Sequence, residues 1–105
     1  MAYIVVFVTA SKQEEAEKIA RTLLEKKLAA CCNIIGGVRS LYWWQGKIAD
    51  DNEVLLVIKS RADMFNEIKG TVVALHSYTV PEIIALPVAA GSEPYLNWID
   101  QSLTA

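Results

Sequence analysis

The sequence predicts an α+β fold of the split βαβ type, with a long β-hairpin and a C-terminal helix. Three observations support this fold class. Apolar runs of strand length alternate with amphipathic segments in the order strand, helix, strand, strand, helix, strand, helix. Residues 30–59 form one β-rich stretch that breaks at Gly36-Gly37 and at Gln45-Gly46-Lys47. The 105 residues are 53% hydrophobic and 21% charged, which is sufficient for the core of one domain over residues 1–105.

The charge balance and the hydropathy pattern argue against two classes of partner. The 10 basic and 12 acidic side chains give a net charge of −2, whereas a nucleic-acid binder carries a basic excess. No segment approaches the ~18 consecutive apolar residues of a membrane span, and residues 1–10 lack the basic start of a signal peptide.

The adjacent Cys31 and Cys32 point to opposite faces of a strand, so they form no ordinary disulfide. Reduced thiols suit the cytoplasm, where we expect the protein to reside.

The first strand and the first helix are predicted from residues 3–27. Residues 3–9 form an apolar run typical of a strand buried on both faces. Ser11 and Glu14 have the spacing of a capping box, which starts a helix over residues 12–27. The apolar stripe of this helix recurs every three or four residues, at Ala16, Ile19, Ala20, Leu23 and Leu24. Its charged side chains are expected to face solvent: Glu14, Glu15, Glu17 and Lys18.

The β-rich stretch predicts an antiparallel hairpin with arms over residues 31–44 and 48–58. Branched and aromatic residues bounded by Gly-containing turns favour strands. Arms of this length exceed what one small domain can cover, so the hairpin is expected to project from it. Tyr42 and Trp44 share one face of the strand and Trp43 takes the other. These aromatic side chains favour subunit packing, because interfaces are enriched in Tyr and Trp.

A second helix follows the hairpin. Ser60 and Asp63 again have the spacing of a capping box. The helix is expected to end near His76, and its apolar stripe consists of Phe65, Ile68, Val72 and Leu75. Gly70 lies within it and costs about 1 kcal/mol relative to alanine.

The C-terminal third predicts one more strand and one more helix. Residues 78–80 are expected to be extended, since the residue before Pro81 is kept out of the α region. Residues 82–89 read as a strand in which Pro87 indicates an edge or a bulge. Ser92 can cap a short terminal helix, whose apolar residues are Leu96, Ile99 and Leu103.

This order of elements is that of the ferredoxin-like split βαβ sandwich. Two helices would cover one face of a four-stranded antiparallel sheet and leave the other face apolar and bare. Soluble proteins cover exposed strand edges and large apolar faces by assembly. We therefore expect a homo-oligomer.

Four segments spread over nearly the whole chain carry a family likeness: ACCNIIGGVRSLYWWQGKI, NEVLLVIKS, HSYTVPEI and YLNWI. Together they resemble the CutA family of divalent-cation tolerance proteins. The resemblance implies a ferredoxin-like subunit, a homotrimer built through the long hairpin and the strand edges, and a non-enzymatic role tied to metal ions. It also implies an architecture similar to that of the PII signalling trimers, which bind small effectors in clefts between subunits.

Some positions depart from the family's pattern. Three of them soften loops more than they change chemistry: Gly36, Ser77 and Thr79. Some family members are credited with a copper site that uses a cysteine and a pair of histidines. This chain has Val8 and Leu75 at two of those positions and keeps only His76. One imidazole is a poor site for a soft metal, so the sequence implies no required cofactor and at most weak binding of copper or another divalent metal.

The candidate metal ligands are His76, Glu82 and Cys31. As the only histidine, His76 can ligate a metal if partners come from another subunit. Its structural alternative is a residue at a helix C-terminus that bonds local carbonyls or packs against Tyr78. Cys31 lacks C-x-x-C spacing, and a free cysteine is usually a small buried hydrophobe. Of Cys31 and Cys32, one is expected to face the helices and the other the bare face.

The candidate ligand cleft between subunits is lined by Tyr42, Trp44, Glu53, Lys59 and Tyr78. Glu53 and Lys59 interrupt the apolar second arm of the hairpin, and charged groups in such strands are usually paired. They can form a structural salt bridge at the subunit interface. Alternatively, they can provide the polar groups of a concave site with aromatic walls.

The leading hypothesis is a homotrimer of the divalent-cation tolerance type. One alternative is a PII-like sensor that binds a small anionic molecule near Lys59, His76 and Glu82, and another is a scaffold that docks a partner protein. An enzyme is not expected. Acylphosphatases of similar fold bind phosphate and water with an arginine and an asparagine. This chain has Arg39 and Asn33, but they lie outside a phosphate-cradling loop. No nucleophile has an activating base beside it in the sequence.

Overall fold

The computed structural model describes residues 2–103, which form a four-stranded antiparallel sheet and three α-helices. The elements are β1 (Tyr3–Ala10), α1 (Gln13–Glu25), β2 (Cys31–Trp44), β3 (Lys47–Arg61), a 3-10 turn (Ala62–Met64), α2 (Phe65–Leu75), β4 (Ile83–Pro87) and α3 (Glu93–Leu103). The strand order β2-β3-β1-β4 is that of the predicted ferredoxin-like class, which is confirmed. Pro87 ends β4, an edge strand, where its missing N–H leaves no gap inside the sheet.

Alternating side chains of β1 and β3 build the core against α1 and α2. One face of these strands is buried, and its residues are Ile4, Val6, Val8, Ala10, Val54, Leu56, Ile58 and Ser60. The two helices bury most of their predicted stripes against this face, with Ala16, Ile19, Ala20, Leu23, Ile68 and Val72. Leu24 is an exception, because it is 40% exposed. Within residues 2–103, no helix is both long and apolar enough to cross a membrane.

The opposite face of the sheet, called the outer face below, is not fully bare. Helix α3 packs against one end of it, where the hydroxyl of Tyr3 donates a 2.6 Å hydrogen bond to Asp100. Arg61, which pairs with Tyr3 in the ladder, contacts the same carboxylate at 3.3 Å. Large apolar residues on the rest of this face stay exposed: Ile35, Ile84 and Leu86. The expectation of a bare face is therefore wrong at the end that α3 covers.

Neither of the predicted capping boxes forms. Helix α1 begins one residue later than expected, so Lys12 takes the cap position and makes no side-chain cap hydrogen bond. Ser60 belongs to β3, where it pairs with Ile4 and its hydroxyl donates a 2.6 Å hydrogen bond to the Leu28 carbonyl. A 3-10 turn then separates this strand from α2, whose cap residue is Met64. The ladder with β1 thus extends β3 over residues that were expected to start the helix.

A β-bulge at Gly36-Gly37 decides which side chains the far part of the hairpin presents on the outer face. Ile35 pairs with Leu55, but Val38 pairs with Glu53, so β2 has one more residue than β3 here. Gly37 takes a positive φ of 73°, a conformation that glycine adopts without strain. Beyond the bulge, the even-numbered residues of β2 share the face of Glu53. This shift places Tyr42 and Trp44 on that face.

The hairpin projects from the sheet, as its length predicts. Strand β1 pairs with β3 only from Val54 onward, so residues 47–53 of β3 are paired with β2 alone. The arms join through a tight turn in which Gln45 and Gly46 have φ values of 51° and 77°. The molecule measures 44 × 26 × 22 Å, and an extended strand of this length accounts for the long dimension. In place of the extended segment predicted before Pro81, residues 77–80 form successive bends.

Candidate functional site

A cavity of about 820 Å³ lies between the first arm of the hairpin and the loop that joins α2 to β4. The hairpin contributes residues 39–44 and Glu53, the loop contributes residues 77–80 and Glu82, and Thr9 lies at the end of β1. This volume falls within the range of small-molecule sites, about 300–1,000 Å³. Four of the five predicted cleft residues line the cavity: Tyr42, Trp44, Glu53 and Tyr78.

Glu53 is a carboxylate held in the wall of this cavity. It is only 7% exposed, and its Oε2 accepts a 2.7 Å hydrogen bond from the hydroxyl of Tyr78. Within residues 2–103, its Oε1 accepts no hydrogen bond and no basic side chain forms a salt bridge with it. Burial without an ionic partner is unusual for a glutamate. The cavity therefore contains a carboxylate whose charge is not compensated by this part of the chain.

The charges around Glu53 make the cavity acidic. Partial burial, and then the charge of Glu53, raises the pKa of Glu82. Burial, followed by the hydrogen bond to Glu53, raises the pKa of Tyr78. Arg39 does not offset these groups, because its guanidinium donates hydrogen bonds of 2.9 and 2.6 Å to Asp50. The cavity is thus better suited to a positively charged ligand than to an anion.

His76 lies behind the cavity and holds the loop in place. Its side chain has 0% exposed surface. Nε2 donates a 2.7 Å hydrogen bond to the Thr9 carbonyl, and Nδ1 accepts a 3.0 Å hydrogen bond from the backbone N–H of Tyr78. Since one nitrogen must donate and the other accept, the ring is the neutral tautomer protonated on Nε2. These are the local bonds of the structural alternative, and they leave no nitrogen lone pair for a metal.

Glu15 also belongs to this loop network, contrary to the prediction that it faces solvent. Its side chain is 17% exposed, and its Oε1 accepts a 2.9 Å hydrogen bond from the backbone N–H of Ser77. Its Oε2 lies 3.8 Å from Nδ1 of His76 and has no hydrogen-bond partner among residues 2–103. The position of α1 explains the difference, because its first turn packs beside the C-terminus of α2. The α1 helix thus contributes to fixing the backbone that carries Tyr78.

Lys59 does not belong to the cavity, although the sequence predicts it there. It lies six residues beyond Glu53 on β3, which corresponds to about 20 Å at the rise of a strand. Its ammonium donates a hydrogen bond to Asn33, and its ladder partner is Cys31. Lys59 and Glu53 of one chain therefore do not pair, and their predicted pairing across a subunit interface stays a prediction.

The two cysteines are free and face opposite sides of the sheet, as predicted. Cys32 packs against the core, and burial raises the pKa of its thiol from the ordinary value of 9.0 to about 12. Cys31 lies on the outer face near Tyr95 of α3, and burial, followed by the neighbouring thiol of Cys31, raises the pKa of that tyrosine. Cys31 is thus remote from the cavity.

The three candidate metal ligands do not meet within one chain. Glu82 lines the cavity, His76 is buried behind it, and Cys31 lies near the opposite end of the hairpin. The described part of the chain contains no group of three or more His, Cys, Asp or Glu side chains that could hold a metal ion. Any site that uses all three requires residues from more than one subunit.

Several cavity residues were not anticipated from the sequence: Thr9, Arg39, Ser40, Leu41, Trp43, Ser77, Thr79 and Val80. The signal that could have located the hairpin residues is Gly36-Gly37. A glycine pair within a strand indicates a bulge, and a bulge exchanges the faces beyond it. No local signal indicates that the loop folds back toward the hairpin, since this depends on His76 and Thr9, which are far apart in the sequence.

The fold and these segments recur in known proteins. Residues 4–102 match the family model of the CutA1 divalent ion tolerance protein. The chain is 47% identical over 98 residues to the divalent-cation tolerance protein CutA of Thermus thermophilus, covering 93% of this chain and 95% of that protein. It is 46% identical over 99 residues to the chloroplastic Protein CutA of Arabidopsis thaliana, covering 94% of this chain and 54% of that protein.

Solved structures agree with the sequence matches. The structure of the periplasmic divalent cation tolerance protein CutA from Archaeoglobus fulgidus superposes with a TM-score of 0.94 at 44% identity, over 97% of this chain and 99% of that one. CutA1 from Oryza sativa superposes with a TM-score of 0.94 at 43% identity, over 97% and 94%. The chain therefore belongs to the CutA1 divalent ion tolerance family.

Proposed function

We propose that this protein takes part in the response to divalent cations as a homotrimer whose subunits are joined through the projecting hairpin. The family supports the link to divalent ions. The hairpin supports the assembly, because Leu41, Trp43 and Ile48 are 62%, 74% and 65% exposed. Apolar patches of this kind mark interaction sites. Strand β2 also has an unpaired edge, at which a second chain can add.

Sedimentation equilibrium at micromolar concentration tests the assembly. We expect a mass three times the 11.6 kDa of one chain. A stable monomer would contradict the proposal. If a monomer were found, and if it captured a partner protein from its native lysate through the same apolar hairpin, a docking scaffold would replace the trimer as the preferred function.

The metal component of the proposal is weak binding of copper or another divalent ion. Glu82 is an exposed carboxylate and can contribute directly. His76 would have to release two hydrogen bonds, and Cys31 would have to come from another subunit. Calorimetry with CuCl2 tests this component. We expect weak binding that Glu82→Gln reduces and Glu17→Gln, on the exposed side of α1, leaves unchanged. Absence of binding to the unaltered protein would overturn it.

The proposal treats the protein as a cytoplasmic binding protein without a required cofactor, nucleic-acid contact or membrane contact. The free thiols of Cys31 and Cys32 support a reducing compartment, and the net charge of −2 argues against nucleic acid. A non-enzymatic role is supported by the hydrogen bonds of His76, since both nitrogens are occupied and neither is free to act as a base. A small-effector sensor has the cavity in its favour, but the acidic lining disfavours an anionic effector.

A further inference from the structure

The uncompensated carboxylate of Glu53 is the feature of the cavity that requires an explanation. A glutamate that is 7% exposed has lost most of its hydration. One hydrogen bond from Tyr78 replaces part of it, and the second oxygen has no partner in residues 2–103. Removing a carboxylate from water is unfavourable unless a cation or several donors compensate. Glu82 is a second acidic group of the same lining, and partial burial, followed by the charge of Glu53, raises its pKa.

The basic residue of the lining cannot supply the missing charge. The guanidinium of Arg39 is held by Asp50 at 2.6 Å, outside hydrogen-bonding reach of Glu53. On the same wall, the hydroxyl of Tyr42 donates to Asp51, so this acidic side chain is also committed locally. These pairs fix the outer wall of the cavity without neutralising its interior. Within residues 2–103, no basic side chain supplies the compensating positive charge.

The shape of the cavity indicates what kind of cation fits. Its volume of about 820 Å³ greatly exceeds that of a single ion. A bare divalent ion would also need more ligands, because no group of three or more acidic, histidine or cysteine side chains forms among residues 2–103. The walls carry Tyr42, Trp44 and Tyr78, whose aromatic faces attract cations. The apolar part of an organic ligand can pack against the same aromatic faces.

We infer that this cavity binds an organic cation, a primary ammonium or guanidinium group on an apolar or aromatic body. The charged head pairs with the free oxygen of Glu53, and Glu82 provides a second carboxylate. The body lies against Tyr42 and Trp44. The inference does not depend on the proposed metal response. Its charged and aromatic contacts belong to one chain, and the cavity lining also includes Leu41 and Trp43, which the proposed trimer interface uses.

A ligand series on the unaltered protein tests the inference. We expect isothermal titration to show that 2-phenylethylamine and agmatine bind. The neutral analogue 2-phenylethanol and the anionic analogue 3-phenylpropionate should bind at least about tenfold more weakly, because they lose a charge-assisted hydrogen bond. Equal affinity for the amine and the alcohol would overturn the inference. This comparison needs no substitution, so it is informative even if a variant fails to fold.

Matched variants locate the site. Glu53→Gln keeps the shape of the side chain and removes its charge, so it should weaken amine binding at least about tenfold. Glu17→Gln, on the exposed side of α1, should leave amine binding unchanged. Undiminished binding in a folded Glu53→Gln variant would contradict the inference. A second pair of results would also contradict the inference: neither amine binds, and Glu53→Gln abolishes assembly. The cavity would then hold a basic side chain of a second copy. Copper calorimetry and sedimentation of the unaltered protein involve no amine. A negative result in either would contradict the proposed function without contradicting amine binding.

Discussion

The hydroxyl of Tyr78 donates a 2.7 Å hydrogen bond to the buried carboxylate of Glu53. This bond ties the loop after α2 to the hairpin, and these two parts of the chain enclose the cavity. The loop is held in turn by His76, whose Nδ1 accepts from the backbone N–H of Tyr78. A histidine whose side chain has no exposed surface thus positions the tyrosine that positions the carboxylate.

Tyr78→Phe should destabilise the protein by about 1–3 kcal/mol, because it leaves a buried carboxylate oxygen without its donor. Tyr42→Phe is the matched control, since Tyr42 donates to Asp51 at an exposed position. The control should change stability by less than about 0.5 kcal/mol. Urea denaturation at one fixed protein concentration measures both, because the stability of an oligomer depends on concentration. Equal losses of unfolding free energy in the two variants would show that the bond to Glu53 contributes no more to stability than the exposed bond of Tyr42.

His76→Ala should lower stability by at least about 2 kcal/mol, because the Thr9 carbonyl and the Tyr78 N–H both lose a buried partner. Asn66→Ala, on the exposed surface of α2, should have little effect. Calorimetry with copper separates this structural role from a ligand role. We expect a folded His76→Ala variant to retain the copper binding of the unaltered protein. Loss of that binding would mean that His76 gives up its two hydrogen bonds to ligate the metal.

Trp43→Ala should weaken association of the subunits. Trp43 is 74% exposed and pairs across the hairpin with Ile48, which is 65% exposed, so the two form one apolar patch. Val73→Ala is the control, because Val73 is an exposed apolar residue on α2, away from the hairpin. We expect sedimentation to show dissociation at a higher protein concentration for Trp43→Ala alone. If both variants kept the mass of the unaltered protein down to nanomolar concentration, the patch would not be the subunit interface.

The elements of this fold could be predicted from the sequence because they depend on local patterns. The stripe of α1, the long hairpin and the edge position of Pro87 all follow from periodicity and from turn residues. The capping box at Ser60 did not form because the ladder between β1 and β3 extends to Arg61, and tertiary pairing overrides a local cap preference at Ser60.

The site was harder to predict than the fold. The structure brings together Tyr42, Trp44, Glu53 and Tyr78, which line one cavity. Of these, Glu53 could be singled out from the sequence because a charged residue rarely interrupts an apolar strand. Lys59 lies outside the cavity of one chain, because alternation along a strand shows which face a residue takes and not how far along it lies. Its predicted place in a cleft between subunits stays a prediction. The contact of His76 with Thr9 joins residues 67 positions apart, and no pattern within either segment reveals it.

Cys32 should react slowly with alkylating reagents and should make stability fall at high pH. Because burial raises the pKa of its thiol from 9.0 to about 12, the thiolate at pH 8 is about a thousandfold scarcer than in the unfolded chain. A raised pKa in the folded state means that the stabilising contribution is complete below pH 9 and is lost as the pH rises toward 12.

Iodoacetamide labelling of Cys31→Ser, which leaves only the Cys32 thiol, measures the reactivity. Urea denaturation between pH 8 and 11 measures the pH dependence of stability. It compares that variant with a double variant, Cys31→Ser and Cys32→Ala. Labelling as fast as in urea would contradict the burial.

Replacing two glycines by alanine should change stability in opposite directions. A Cβ at Gly37 or at Gly70 would meet no atom within 4 Å, so crowding affects neither variant. Gly37 has a φ of +73°, and an alanine held there should destabilise the protein by about 1–2 kcal/mol. Gly70 lies within α2, where alanine should stabilise it by about 0.5–1 kcal/mol.

Thermal or urea unfolding of the two variants at one concentration checks the sign of each change. Gly37→Ala should also weaken amine binding, because the bulge is what places Tyr42 and Trp44 beside Glu53. Gly70→Ala should leave amine binding unchanged, since α2 presents this position away from the cavity. If both alanines stabilised the protein, the bulge would tolerate an ordinary backbone, and the register of the hairpin would not depend on glycine.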